Sequence, residues 1–175
     1  MTAEHILVRA AAVRLAIFDV DGVLTTGSLH YTEEGREHKV FHARDGLGMK
    51  MLMKEGVDVA IITGRTSAVV SHRMAELGID HVYQGCDDKL TTFETLLAAL
   101  RLDPSQVAMM GDDIVDLPIL NRVGLAMAPK DAHSIISEAV HWQSSINGGC
   151  GAAREACDLI LDAQGKLNQI VDRLQ

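Results

Sequence analysis

Disulfide-capable cysteine, surplus positive charge and long apolar runs are all scarce in this chain of 175 residues. Only Cys86, Cys150 and Cys157 are present, odd in number and without a C-x-x-C pair. That pattern argues against a disulfide framework and fits a reducing, cytoplasmic setting. Lys and Arg total 16 against 24 Asp and Glu, a formal net charge of −8. Such a balance disfavours nucleic acid or an anionic membrane as a general partner, while leaving room for local phosphate binding through a metal and a few cations. No stretch approaches the roughly 20 apolar residues of a membrane span. The first nine residues lack the basic start and apolar run of a signal peptide. The eight histidines show no metal-ligand spacing.

What is present is ordinary for a globular protein: 47% hydrophobic and 23% charged residues, enough for one domain, 1–175, with its own core. Apolar, β-rich runs fall at residues 15–18, 57–62, 81–83, 107–110 and 124–127. Helical patterns lie at about 46–55, 67–77, 89–100 and 114–122. This alternation predicts an α/β fold: a Rossmann-like parallel sheet with helices on both faces. Segments 28–32 and 37–42 flank Glu33-Glu34-Gly35-Arg36 and predict a projecting β-hairpin, too short to be a cap domain. Gly148-Gly149 opens a tail with helical patterns around 152–161 and 166–174.

The first apolar run ends in Asp19-Val20-Asp21-Gly22. Two carboxylates at the end of a buried strand repel each other and lose hydration, a cost that becomes reasonable beside a divalent cation. Parallel α/β sheets bind ligands at the carboxyl ends of their strands, and Thr63-Gly64-Arg65 and Gly111-Asp112-Asp113-x-x-Asp116 also fall at such ends. Each piece alone is weak: Asp-x-Asp-Gly is commonly a turn, Lys89 a solvated helix residue, Asp112-Asp113 a helix cap. In this order, with Lys89 between the second and last, they resemble the haloacid dehalogenase-like phosphatase superfamily. The roles that the residues themselves suggest agree with that resemblance. Asp19 is the expected nucleophile, and Asp21 the acid that protonates the leaving oxygen and then the base that activates water. Asp19, the backbone carbonyl of Asp21, and Asp112 are expected to hold Mg2+. Thr63 and Gly64 offer donors to phosphate, and Lys89 orients the nucleophile and neutralises charge. Asp113 and Asp116 are expected to position metal waters or Lys89.

Further motifs narrow the resemblance. Asp19-Val20-Asp21-Gly22-Val23-Leu24-Thr25, Phe41-His42-Ala43-Arg44-Asp45-Gly46 and Ile62-Thr63-Gly64-Arg65 are three of them. Tyr83-Gln84-Gly85, Met110-Gly111-Asp112-Asp113 and Gly148-Gly149-Cys150-Gly151-Ala152-Ala153-Arg154-Glu155 complete the set. Together they look like the capless 3-deoxy-D-manno-octulosonate 8-phosphate phosphatase family. That resemblance implies hydrolysis of the eight-carbon sugar-acid phosphate in lipopolysaccharide biosynthesis. It also implies a homotetramer in which the hairpins pack together and the Gly-rich tail approaches a neighbour's site. Two positions depart from the family pattern: Cys150, where relatives are often basic, and Thr26, where they commonly carry aspartate.

Arg65 and Arg73 are the candidates to grip the substrate's carboxylate or hydroxyls through their forked donors, with a surface ion pair as the alternative for Arg73. Arg44 and Asp45 are candidates to pair with each other, and His72 is left without a role. Two other functions stay open on the residues: a phosphatase of a nine-carbon ulosonate 9-phosphate, and a non-catalytic oligomerisation module. The second would not need Asp19, Asp21, Lys89 or Asp112, all of which are present.

Overall fold

In the computed structural model, which describes residues 3–173, six parallel strands form one sheet. The strands are β1 (Leu15–Phe18), β4 (Asp58–Ile62), β5 (His81–Tyr83), β6 (Val107–Met110), β7 (Leu125–Ala128) and β8 (Trp142–Gln143). Their order is β5-β4-β1-β6-β7-β8, and every neighbouring pair is parallel. The chain leaves β1 towards β4 on one side and returns to β6 on the other. The carboxyl end of β1 therefore sits at the point where the winding reverses, the place where open α/β sheets bind ligands.

Residues alternate strictly across the sheet. Ala16, Phe18, Val59, Ile61, Ala108, Met110, Leu125 and Met127 face one core. Leu15, Ile17, Ala60, Ile62, Val107, Met109, Ala126 and Ala128 face the other. Continuous apolar runs are what a strand covered on both faces requires. The first core is closed by α1 (Ala3–Ala11), α2 (Ala43–Lys54), α3 (Ala68–Leu77) and α7 (Ala152–Ala163), the second by α4 (Lys89–Leu100), α5 (Leu117–Leu120) and α6 (Ser134–Ala139). A last helix, α8 (Leu167–Asp172), packs on α7.

The hairpin is present but smaller than its flanking pattern suggests. Its strands are β2 (His30–Tyr31) and β3 (Glu37–His38), paired antiparallel with Tyr31 opposite Glu37. It has no core of its own to extend it. The expected helix over 114–122 is instead a 3-10 turn, Ile114–Asp116, followed by the four-residue α5. Asp113 caps Ile114 N at 2.7 Å, and Pro118 lacks an N–H. The tail helix expected to reach Leu174 ends at Asp172, with Leu174 itself outside the described residues. Nor do Arg44 and Asp45 pair. Asp45 Oδ1 accepts the backbone N–H of Arg154 at 2.8 Å and so ties α2 to the start of α7.

The turn after β1 is wound tightly, because the N–H groups of Val23, Leu24 and Thr25 all converge on the carbonyl of Val20 at 3.3, 2.9 and 3.0 Å. The Gly-rich tail segment lies directly against this turn. Gly149 N donates to Val23 O at 2.9 Å, and a Cβ at Gly148 would stand 1.7 Å from the carbonyl oxygen of Gly22. The segment is thus fixed onto its own chain's β1 turn, a contact that its sequence pattern did not foretell. Gly148→Ala should displace residues 22–25 and lower the unfolding free energy by on the order of 2–4 kcal/mol, read by urea denaturation. A loss under about 0.5 kcal/mol would contradict this packing.

Candidate active site

Three strand ends deliver the site. Asp19 continues the β1–β6 ladder, its N–H donating to Met110 O at 3.1 Å. Thr63 continues β4, donating to Tyr83 O at 3.0 Å and accepting from Cys86 N at 3.1 Å, which joins the loops after β4 and β5. Gly111 continues β6 by donating to Met127 O at 3.2 Å, and Asp112 follows it. Lys89 is the first residue of α4, whose start is fixed by the Asp88 carboxylate accepting Leu90 N and Thr91 N at 3.0 and 3.1 Å. These pieces surround a cavity of about 360 Å³ lined by Asp19, Asp21, Thr63, Gly64, Arg65, Cys86, Asp87, Lys89, Asp112, Asp113 and Val115. Every site residue singled out from the sequence lies on it except Arg73 and Asp116.

Charge in this cavity is unbalanced. The Lys89 ammonium lies 2.7 Å from Asp116 Oδ1 and 3.0 Å from Asp19 Oδ1. Its side chain is 5% exposed and that of Asp116 is not exposed at all. Asp116 Oδ2 accepts the N–H of Asp112 at 3.1 Å, so the carboxylate holds both the lysine and the motif loop. Asp116 is therefore bound to Lys89, one of the two roles expected for it, while the Asp113 carboxylate caps the 3-10 turn. Oxygens of Asp19, Asp112 and Asp116 lie within 4.8 Å of one another. Three carboxylates against one ammonium leave two negative charges uncompensated.

The titration of these groups reflects that excess. Burial, then repulsion by Asp116, raises Asp19 to about 6 against the pull of Lys89. Burial, then repulsion by Asp19, Asp116 and Asp113, raises Asp112 to about 7. Burial works against the Lys89 charge, but Asp19 and Asp116 outweigh it and hold the ammonium above its ordinary value. Asp19 Oδ1 is buried and makes no aligned hydrogen bond despite its nearness to Lys89. An all-oxygen, anionic cluster suits a hard divalent cation. Asp19 and Asp112 could hold it, since Asp116 is engaged elsewhere. The approach of Asp112 depends on Gly22 (φ +96°), where a Cβ would stand 2.0 Å from Asp112 Oδ2.

Asp21 points away from this cluster. Its carboxylate meets the ammonium of Lys39, from the hairpin, and Arg65 Nε lies 3.7 Å from its second oxygen. Arg65 also donates to Glu37 and to the Tyr31 hydroxyl, each at 2.8 Å, and these two partners hold its guanidinium above its ordinary pKa. Lys39, Glu37 and Tyr31 carried no sequence signal beyond alternation along the hairpin. Arg73 is not among the residues that line this cavity, and takes the ion pair that was its alternative. Lying on the second turn of α3, it pairs with Glu76 at 2.8 Å and packs over Gly46 of α2, away from the cavity. Arg154, near the tail, is likewise paired with Asp158 at 2.8 Å. His72 is exposed on α3 and takes no part.

A raised carboxyl pKa means that folding disfavours the ionised form. In the metal-free protein this contribution to stability is present below the ordinary value of 3.8 and is lost as pH rises through about 7. Asp112→Asn should therefore match the wild type in melting temperature near pH 4 and exceed it increasingly towards about pH 8, without metal. A wild type more stable than the variant at about pH 8 without metal would contradict the charge excess.

Comparison with known proteins agrees with the geometry. A family model described as haloacid dehalogenase-like hydrolase matches residues 47–124. The 3-deoxy-D-manno-octulosonate 8-phosphate phosphatase KdsC of Yersinia pestis is 47% identical over 165 residues, 94% of this chain and 88% of that protein. KdsC of Escherichia coli strain K12 is 44% identical over 164 residues, 94% and 87% of the two chains. A crystal structure of the Moraxella catarrhalis 3-deoxy-D-manno-octulosonate 8-phosphate phosphatase, in complex with magnesium ion, phosphate ion and KDO, superimposes with a TM-score of 0.97. It is 38% identical and covers 99% of this chain and 100% of its own. With relatives this similar over nearly its whole length, and with the strand-end carboxylates, lysine and threonine gathered in one cavity, the chain belongs to the 3-deoxy-D-manno-octulosonate 8-phosphate phosphatase family of haloacid dehalogenase-like hydrolases and is a phosphoric monoester hydrolase.

Proposed function

We propose that this enzyme hydrolyses 3-deoxy-D-manno-octulosonate 8-phosphate to the free sugar acid and phosphate, with Mg2+ as cofactor. The observation that carries the chemistry is the buried Asp19 carboxylate, set between Lys89 and Asp112 at the mouth of β1. The substrate follows from the family relatives and from the KDO, phosphate and magnesium bound by the Moraxella protein. Asp19, Asp112 and the backbone carbonyl of Asp21 would hold Mg2+. Bound there, the ion would offset the surplus negative charge and draw phosphate oxygens towards Asp19.

This chain's own residues account for the remaining steps. Thr63 and the N–H groups beside Gly64 orient the phosphate, and Lys89 keeps Asp19 ionised and aimed at phosphorus. An Asp19 oxygen attacks phosphorus and the bond to the sugar oxygen breaks. The departing oxygen takes the electron pair and a proton from the Asp21 carboxyl, leaving an aspartyl-phosphate. Water, giving its proton to the Asp21 carboxylate, then attacks phosphorus, releasing phosphate and restoring Asp19. Arg65 lines the cavity beside Asp21, which supports a contact with the sugar acid.

The wider setting belongs to the same reading. The chain acts as one catalytic domain, 1–175, without a cap, in the cytoplasm, supplying sugar acid for lipopolysaccharide. Among the described residues no helix is long and apolar enough to cross a membrane, and the net charge of −8 disfavours nucleic acid. Leu29, Tyr31 and Val40 leave the hairpin with exposed apolar surface, which supports a homotetramer joined through hairpins.

Phosphate release from the eight-carbon substrate should require Mg2+ and stop with chelator, and Asp19→Asn should lower kcat by on the order of 10⁴-fold or more. Preference for a nine-carbon ulosonate 9-phosphate would keep the chemistry and overturn the substrate. No release from either by folded, Mg2+-loaded protein would overturn the phosphatase reading.

A further inference from the structure

Lys39 is an unusual lysine. It follows β3 on a hairpin that is otherwise largely exposed, yet its side chain is 2% exposed. Its ammonium meets the Asp21 carboxylate and lies 3.5 Å from Glu37 Oε1. Glu37 and Lys39 are two residues apart, the spacing that puts side chains on one face of an extended chain. Tyr31 is the registered partner of Glu37 across the hairpin. Arg65 closes the group from the loop after β4, donating to both Glu37 and Tyr31 and approaching the second Asp21 oxygen at 3.7 Å. Both oxygens of Asp21 thus face cations, and the anion between those cations, Glu37, comes from the hairpin itself.

A lysine gives up hydration and side-chain freedom to be enclosed in this way, and a surface ion pair would not require it. Asp21 is the group that gains. It stands on a turn whose backbone is wound on Val20, and its carboxylate is 18% exposed, with the side chains of Lys39 and Arg65 against its two oxygens. Held only by its own rotamer preference, it would not stay at the leaving oxygen.

We propose that Lys39 is a positioning residue for Asp21, holding the acid–base carboxylate towards the leaving-group side of the cavity, with Glu37 and Arg65 keeping Lys39 in place. The inference rests on the phosphatase reading above. It gives the hairpin a part in proton transfer within its own chain, besides any part in assembly. A misplacement of about 1 Å at a reacting group can cost on the order of 100-fold in rate, so the loss should appear where Asp21 moves a proton and nowhere else.

Leaving-group dependence separates that effect from others. The sugar oxygen needs a proton to depart, whereas p-nitrophenolate does not, so p-nitrophenolate release reports attack by Asp19 alone. The later hydrolysis of aspartyl-phosphate again needs Asp21. With Mg2+-loaded full-length protein, Lys39→Met should lower kcat on the eight-carbon sugar phosphate by about 100-fold with KM within about three-fold. Rapid mixing with p-nitrophenyl phosphate should show a burst of about one p-nitrophenolate per chain, at a rate constant within about three-fold of wild type, followed by slow turnover. Lys39→Arg should recover most of the loss, and the rise in melting temperature on adding Mg2+ should be unchanged in both variants. Unchanged kcat in Lys39→Met would overturn the inference. So would a raised KM with kcat kept, which would make Lys39 a sugar contact. A parallel fall of the burst, turnover and melting temperature would overturn it in favour of a hairpin scaffold. Absence of Mg2+-dependent turnover in the wild type would instead overturn the phosphatase reading, and this inference with it.

Discussion

The Lys89 ammonium, buried between Asp19 and Asp116, is the interaction on which the rest of the site depends. A lysine enclosed this far is tolerated only with anionic partners, and here it has two. Asp116 is the permanent one. It accepts Lys89 with one oxygen and the Asp112 N–H with the other, so a single fully buried carboxylate sets both the lysine and the loop that carries Asp112. Asp19 is then brought beside a cation it does not fully occupy, while Asp112 is brought close with no cation to meet. The arrangement is incomplete in charge, as suits a site for a divalent ion.

The fold makes this possible by bringing three strand ends to one point. β1 is central, and its neighbours β4 and β6 belong to opposite directions of winding. The loops that leave them diverge and open a cavity, where loops leaving the same way would cover it. Close backbone contact then braces the opening. Gly22 lets Asp112 approach, and the tail glycines press on the same turn from behind. The C-terminal segment, far away in sequence, therefore supports the loop that holds Asp21. From the front, the hairpin adds Lys39 and Glu37. A site without a cap is in this way supported on several sides by pieces of one chain.

Strand ends and the four motifs could be read from the sequence because their signals are local and strong. β1, β5 and β6 begin and end where their apolar runs place them, and α4 spans its helical pattern. The short elements left no such trace. The α6 helix has six residues and β8 two, too few for a periodicity to show. Helix α1 buries Ile6 and Ala10 but leaves Leu7 and Val8 exposed, which blurs its apolar stripe. At the site, Asp19, Asp21, Thr63, Gly64, Arg65, Lys89 and Asp112 meet on one cavity as their strand-end positions suggested. Arg73 does not, because its direction depends on helix packing: it turns to Glu76 and α2. Lys39 was silent for the opposite reason. Its partner is 18 residues away, across a turn whose geometry only the folded chain defines.

The central claim is electrostatic: the cavity carries more negative charge than its own cations balance, and a divalent ion makes up the difference. Calorimetric titration of Mg2+ in buffers of different ionisation enthalpy tests it most directly, because ligands held protonated must lose their protons when the ion binds. With Asp19 raised to about 6 and Asp112 to about 7, Mg2+ should bind with release of between about one and one and a half protons per chain near pH 6 and almost none near pH 8. Binding of Mg2+ near pH 6 without proton release would contradict the account, since it would mean that burial and mutual repulsion do not hold these carboxylates protonated there.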